Sequence, residues 1–291
     1  MTGLVFFHSR MDELRVAIQG VAGCFHDAAA REYFIGQSVE TVECDTFHDV
    51  FTTLCSDASM LGIVAIENTI AGSLLQNHEL LRQSNLLVVG EYKMYISHSL
   101  AVLPGQTIDD IDEVNSHPIA LRQCEQYLRR HPRMKIVETN DTAGSARMIA
   151  QQGLKRHAAV CGTLAAELYG LQVIDSDIQT NKRNFTRFLI ITDPSNAADL
   201  VDHAHVDKAS LAFTLPHTQG SLSAVLTIFS FYGINLTKIQ SLPIIGREWE
   251  YRFYVDLTFT DYTRYRQAVD AVRPLINDFK ILGEYAEHHK Q

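Results

Sequence analysis

Short apolar runs alternate with longer amphipathic stretches through the first two thirds of the chain, and this alternation constrains the fold more than any single motif. Residues 15–19, 38–43, 61–66, 86–92 and 98–102 read as strands, and 26–34, 47–56 and 72–84 as helices. Strand and helix keep alternating through Tyr169, and Phe188–Ile191 forms a closing strand. Parallel strands need helix-length crossovers, so this order predicts an α/β unit with a mostly parallel sheet. The stretch from Asp193 to His205 has no clear period and carries Pro, Ser and Asn, as a linker does.

Beyond the linker the pattern changes. Residues 209–215 read as a strand and 220–232 as a helix, with Leu222, Val225, Leu226 and Phe229 on one face and Gly233 at its end. Strands at 235–244 and 249–260, a helix at 262–276 and a strand at 279–285 complete a βαββαβ unit of ferredoxin-like order. The expected organisation is a tail over 1–14, a first unit over 15–194, a linker over 195–207 and a second unit over 208–291.

The 291 residues carry a net charge of −9, and a nucleic-acid-binding surface would normally be basic. An anionic small molecule remains compatible, because local positive groups override an acidic total. The five cysteines (Cys24, Cys44, Cys55, Cys124, Cys161) are scattered, which fits neither a disulfide framework nor a metal site and points to a reduced, cytoplasmic protein. No apolar run approaches the roughly 18 residues a membrane span needs. The run Leu4–Phe7 is too short for a secretory signal, and Met11 is a second possible start.

Five polar clusters fall at strand ends or helix starts. They are Gly20-Val-Ala-Gly23, Glu67-Asn68-Thr69 with Ala71-Gly-Ser73, Asn115-Ser-His-Pro118 before Gln123, Asn140-Asp-Thr142, and Asn184-Phe-Thr-Arg-Phe188. In open α/β sheets ligands bind beyond the carboxyl ends of strands, where helix N-termini suit carboxylates. Each cluster also has a plain reading as a helix cap or a turn. The Gly20/Gly23 turn lacks the third glycine of a dinucleotide fingerprint. Cys24 with His26, or Cys124 with His117, lacks the third partner that would orient a thiol nucleophile.

The segments Ala65-Ile-Glu-Asn-Thr-Ile-Ala-Gly-Ser73, Ser116-His-Pro-Ile-Ala-Leu-Arg-Gln-Cys124, Asp141-Thr-Ala143 and Asn184-Phe-Thr-Arg-Phe188 resemble the motifs of prephenate dehydratases, in order and spacing. The C-terminal βαββαβ unit resembles the ACT regulatory domain that such enzymes carry. The resemblance implies a two-lobed catalytic domain similar to periplasmic binding proteins, with lobe 1 at about 15–92 and 180–194 and lobe 2 at about 93–179. It implies conversion of prephenate to phenylpyruvate without cofactor or metal. Arogenate dehydration and non-catalytic sensing of a small acid are the alternatives.

Carried over by position, the resemblance makes Thr186 the donor to the leaving oxygen and Arg187 a carboxylate clamp. Glu67, Asn68, Ser116, Gln123 and Thr142 would line the cleft, with Ser73 and Phe188 at the substrate. Glu67 and Thr186 would share one wall, opposite Ser116 and Thr142. In the C-terminal unit, Gly220, Ser221, Leu222, Asn235, Leu236 and Ser241 fall where phenylalanine would bind as effector. There Gln240 and Leu242 replace the family's usual glutamate and arginine. A homodimer or homotetramer is the implied assembly.

Overall fold

The computed structural model describes residues 13–288. The expected N-terminal tail lies outside the described residues up to residue 12, and Leu14 already opens the first strand. Lobe 1 is built from β1 (Leu14–Gln19), α1 (Phe25–Tyr33), β2 (Val39–Cys44), α2 (Phe47–Ser56), β3 (Leu61–Asn68), β4 (Gly72–Ser73), α3 (Leu75–Gln83) and β5 (Leu87–Tyr95). Lobe 2 follows as β6 (Ser99–Val102), β7 (Glu113–Ser116), α4 (Pro118–Gln123), α5 (Glu125–Leu128), β8 (Lys135–Glu138), α6 (Thr142–Gln152), β9 (His157–Cys161), α7 (Thr163–Leu168) and β10 (Gln172–Asp175). The chain then returns to lobe 1 through β11 (Phe185–Thr192) and α8 (Pro194–Leu200). The C-terminal domain runs β12 (Lys208–Thr214), α9 (Ser221–Phe231), β13 (Asn235–Pro243), β14 (Tyr251–Thr258), α10 (Tyr262–Val272) and β15 (Asn277–Tyr285).

Each lobe has a sheet of its own, in the order β5-β11-β3-β1-β2 for lobe 1 and β10-β6-β9-β7-β8 for lobe 2. Both are mixed rather than mostly parallel, because β11 runs antiparallel to β3 and β5, and β6 runs antiparallel to β9 and β10. The expected linker is also corrected. Pro194 occupies the first turn of α8, where its missing N–H costs nothing, and Asp193 caps that helix through Ser195 N. Gly72-Ser73, expected to open a helix, instead pairs with Glu67 and Asn68 as β4.

The C-terminal sheet has the order β13-β14-β12-β15, the arrangement of a ferredoxin-like βαββαβ unit. It joins the lobe 1 sheet through one parallel pair, Gly283 with Val88, so a single ten-stranded sheet crosses both domains. A Cβ on Gly283 would lie 2.2 Å from Val88 O, so only glycine permits this join. The apolar cores follow the same plan. One includes residues of both lobes, among them Ile18, Phe188, Ala146 and Ala165. Another joins the opposite face of lobe 1 to Ala212, Tyr254, Leu282 and Tyr285 of the C-terminal domain. Gly23, at φ +84°, lets the turn before α1 approach Ala165 of lobe 2, where a Cβ would come within 2.8 Å of Ala165 Cα.

Gly283→Val is expected to cost about 1–3 kcal/mol through overpacking at the join. Differential scanning fluorimetry should show the lower Tm, and limited proteolysis should show earlier cutting around residues 201–207.

Candidate active site

Strands β3 and β11 lie side by side with Thr186 opposite Asn68 and Arg187 opposite Glu67. Successive side chains on a strand face opposite sides of the sheet, so these pairs divide. Thr186, Asn68 and Phe188 line a cleft of about 340 Å³ between the lobes. Ser73, Cys24, Phe25 and His26 complete the lobe 1 wall, and His98, His117, Gln123, Asp141 and Thr142 face them. Arg187 and Glu67 line a second cavity, of about 770 Å³, which Lys93, Glu287 and His288 also border and whose lining Asn68, Ser73 and Thr186 share with the cleft.

Hydrogen bonds fix the cleft side in one direction. Asn68 Oδ1 accepts from the backbone N–H groups of Ile70 (2.9 Å) and Ala71 (2.8 Å). Its Nδ2 therefore points the other way and donates to Thr186 Oγ1 (3.0 Å), Asn184 Oδ1 (2.8 Å) and Phe185 O (3.1 Å). Asn184, fully buried, in turn donates through Nδ2 to Gln123 Oε1 at 3.0 Å. Because Thr186 Oγ1 accepts from Asn68, its own O–H is left to donate within the cleft it lines.

Burial holds His26 and Cys24 in the cleft neutral. Burial lowers His26 to about 4, and its Nε2 accepts from Ala65 N at 3.3 Å while the ring meets Phe188 edge-on. Burial pushes the Cys24 thiol up to about 12, which makes it a poor nucleophile at neutral pH. Asp141 caps α6 through Gly144 N (2.6 Å), and burial raises its carboxyl above the ordinary value. Thr142 opens that helix at the cleft. Among the described residues no lysine or arginine lines this cleft, and no group of three or more His, Cys, Asp or Glu is placed to hold a metal ion.

Three expected cleft residues lie elsewhere. Ser116 is fully buried and donates to Val160 O at 2.5 Å, tying β7 to β9 inside lobe 2. Arg187, only 6% exposed, is not an open carboxylate clamp. It donates to Glu91 (2.6 Å), Asp256 (2.5 Å) and the Tyr285 hydroxyl (3.0 Å), and lies 3.4 Å from Glu67. Asp256 and Tyr285 belong to the C-terminal domain, so Arg187 joins β11 to that domain. Glu67 pairs with Lys238 of β13, and Lys238 also donates to Ser73 at 3.0 Å. Lys208 of β12 reaches Glu91 at 3.0 Å. Gly220, Ser221, Leu222, Asn235, Leu236 and Ser241 line neither the cleft nor the interdomain cavity; Gly220, Asn235 and Ser241 are exposed. Sequence reasoning passed over His98 and Asn184 as site residues, although Asn184 sits beside the Thr-Arg pair. The alternation of a strand would have separated Thr186 from Arg187 and Asn68 from Glu67.

A family model for prephenate dehydratase matches residues 16–196. The arogenate dehydratase/prephenate dehydratase 2 of Arabidopsis thaliana is 33% identical over 287 residues, covering 95% of this chain and 74% of that protein. Among solved structures, GqqA, described as a novel type of quorum quenching acylase, superposes with TM-score 0.84 at 28% identity, over 94% of this chain and 98% of that one. The prephenate dehydratase of Arthrobacter aurescens in complex with L-Phe superposes with TM-score 0.82 at 26% identity, over 94% and 90%. Fold and cleft define a two-lobed α/β lyase with an appended βαββαβ domain. The chain belongs to the prephenate dehydratase family.

The buried ion network sets the stability of the domain contact. Asp256→Ala removes one buried partner of Arg187, which keeps Glu91 and Tyr285, and one of Ser210, which keeps Tyr285; it is expected to cost about 1.5–3 kcal/mol in chemical denaturation. Burial pushes the Asp256 carboxyl up, but Arg187 pulls it to a net value below the ordinary one. Glu67 is likewise raised by burial and lowered further by Lys238 and Arg187. Both carboxyls bind protons less readily folded than unfolded. Their contribution is therefore present above the ordinary carboxylate range near pH ~4 and lost as pH falls below it. Thermal unfolding from about pH 7 to about pH 3 should show Tm falling at the acid end, with a smaller fall in Asp256→Asn.

Proposed function

We propose that the chain converts prephenate to phenylpyruvate, with water and carbon dioxide as the other products. The C–CO₂ bond breaks, its electron pair completes the aromatic ring, and the ring hydroxyl leaves with its own bonding pair and takes up a proton to become water. The reaction needs a hydrogen-bond donor at the departing oxygen. The observation that carries the reading is the Asn68–Thr186 pair, in which Thr186 Oγ1 accepts from Asn68 and keeps its O–H to offer in the cleft. A threonine is a weak acid, so the hydroxyl stabilises the leaving oxygen without surrendering its proton. A positioned donor of this kind is worth about 10²–10³ in rate.

With no lysine or arginine lining the cleft among the described residues, the substrate carboxylates are met by helix N-terminal N–H groups and by Thr142 and Ser73. Lobe closure excludes water from that pocket. The neutral Cys24 thiol weighs against an acylase reading, which needs an activated nucleophile. The enzyme acts in the cytoplasm as a homodimer or homotetramer. Its C-terminal domain takes the ACT role, binding phenylalanine around Gly220–Leu222, Asn235–Leu236 and Ser241 and inhibiting turnover. The L-Phe complex of the Arthrobacter relative supports this effector.

Following phenylpyruvate by its ultraviolet absorbance with prephenate supplied, and phenylalanine release with arogenate, separates the two substrates. Thr186→Val should lower kcat at least about tenfold more than it changes KM. Near-normal turnover would remove Thr186 from the mechanism. Calorimetry with phenylalanine should give heat and inhibition at millimolar ligand; neither would end the effector role.

A further inference from the structure

The hydrogen-bond chain that reaches Thr186 does not begin at Asn68. Gln123 Oε1 accepts from Asn184 and also lies 2.9 Å from His98 Nε2, at the far wall of the cleft. The direction of each link follows from the one before. Backbone N–H groups can only donate, so Ile70 and Ala71 fix Asn68 Oδ1 as acceptor. Asn68 Nδ2 then fixes Asn184 Oδ1 as acceptor, which turns Asn184 Nδ2 to Gln123 and makes Gln123 Oε1 an acceptor. His98 Nε2 must carry the proton, and Nδ1 is bare.

That bare nitrogen is buried and has no hydrogen-bond partner among the described residues. His98 is 2% exposed and packs edge-on against Phe25, a setting in which an apolar ring would fit without stranding an acceptor. A buried acceptor without a partner destabilises the fold. The histidine therefore lowers stability at this position, while its Nε2–H braces the relay.

We propose that His98 is a positioning residue for dehydration: through Gln123, Asn184 and Asn68 it holds the Thr186 hydroxyl in its donating orientation. The relay links the residue before β6 and the end of α4 in lobe 2 to β3 and the residue before β11 in lobe 1, across the cleft. It is complete only while the lobes keep this spacing, which ties donor alignment to lobe closure. The inference rests on the dehydratase reading for its kinetic consequence, but not for its geometry.

The test uses the full chain and four variants: His98→Phe, His98→Gln, Thr186→Val, and His98→Phe combined with Thr186→Val. His98→Phe keeps the ring and removes the N–H; His98→Gln restores an amide donor. With prephenate, His98→Phe should lower kcat about tenfold, leave KM within about twofold and keep Tm equal or higher, and His98→Gln should recover most of the loss. Added to Thr186→Val, His98→Phe should lower kcat no further, because it acts only through that hydroxyl. Normal kcat in His98→Phe, equal loss in both His98 variants, or full additivity with Thr186→Val would overturn the proposal. The ¹⁵N shifts of the His98 ring give an independent reading: a protonated Nε2 with bare Nδ1 is expected, and the opposite tautomer overturns the relay whatever the turnover. A wild-type chain that forms no phenylpyruvate while holding the expected tautomer would instead reject the dehydratase reading.

Discussion

The guanidinium of Arg187 is the interaction on which the rest of the structure depends. A buried cation is tolerated only with several well-placed partners, and here they come from two domains: Glu91 from lobe 1, Asp256 and Tyr285 from the C-terminal domain. Burial alone would lower its pKa, but Tyr285, Asp256 and Glu91 hold it well above the ordinary arginine value. Arg187 is also the chain neighbour of Thr186. One residue of β11 therefore faces the cleft and the next faces the C-terminal domain, so the position of the Thr186 hydroxyl is set from behind as well as from in front.

On the cleft side the organising element is smaller. The turn at Ile70–Ala71 presents two backbone N–H groups to Asn68, and the polarity of every amide beyond it follows. In the proposed reaction such a chain would need no reorganisation as charge develops on the leaving oxygen, which is where fixed dipoles are worth most. The larger interdomain cavity carries more formal charge than the cleft, but those charges already neutralise one another through Arg187, Lys238, Lys93 and Glu287. Size and charge alone would point to the interdomain cavity, whose lining shares Asn68, Ser73 and Thr186 with the cleft.

Much of the fold was legible from period and punctuation. The strand and helix order of the catalytic unit and the βαββαβ order of the C-terminal unit follow from apolar spacing and glycines. The mixed direction of both sheets was not, since antiparallel returns such as β11 have the same local pattern as parallel strands. Pro194 looked like a breaker because composition does not distinguish the first turn of a helix from a loop. At the site, Asn68, Gln123, Thr142, Thr186 and Phe188 were placed at the cleft from motif resemblance. Glu67 and Arg187 were misplaced because a motif is read as a line, whereas a strand sends neighbours to opposite faces. Ser116 was misplaced because a buried serine bonded to Val160 has the same sequence signature as a cleft serine. His98 could not be found from sequence, since its importance lies in a direction of hydrogen bonding established 30 residues away in lobe 1.

The join between the two sheets is a ladder of one pair, Gly283 with Val88. A long ladder resists both sliding and turning, whereas a single pair resists sliding far more than turning. The close approach at Gly283 leaves no room for a side chain between the two strands. Beyond that pair the C-terminal domain is held by side chains: a shared apolar core with Tyr254, Leu282 and Tyr285, and ties that include Arg187–Asp256, Glu67–Lys238 and Lys208–Glu91. A swing of that domain would load or slacken these ties and so pull on β11 and β3, the two strands that carry Thr186 and Asn68.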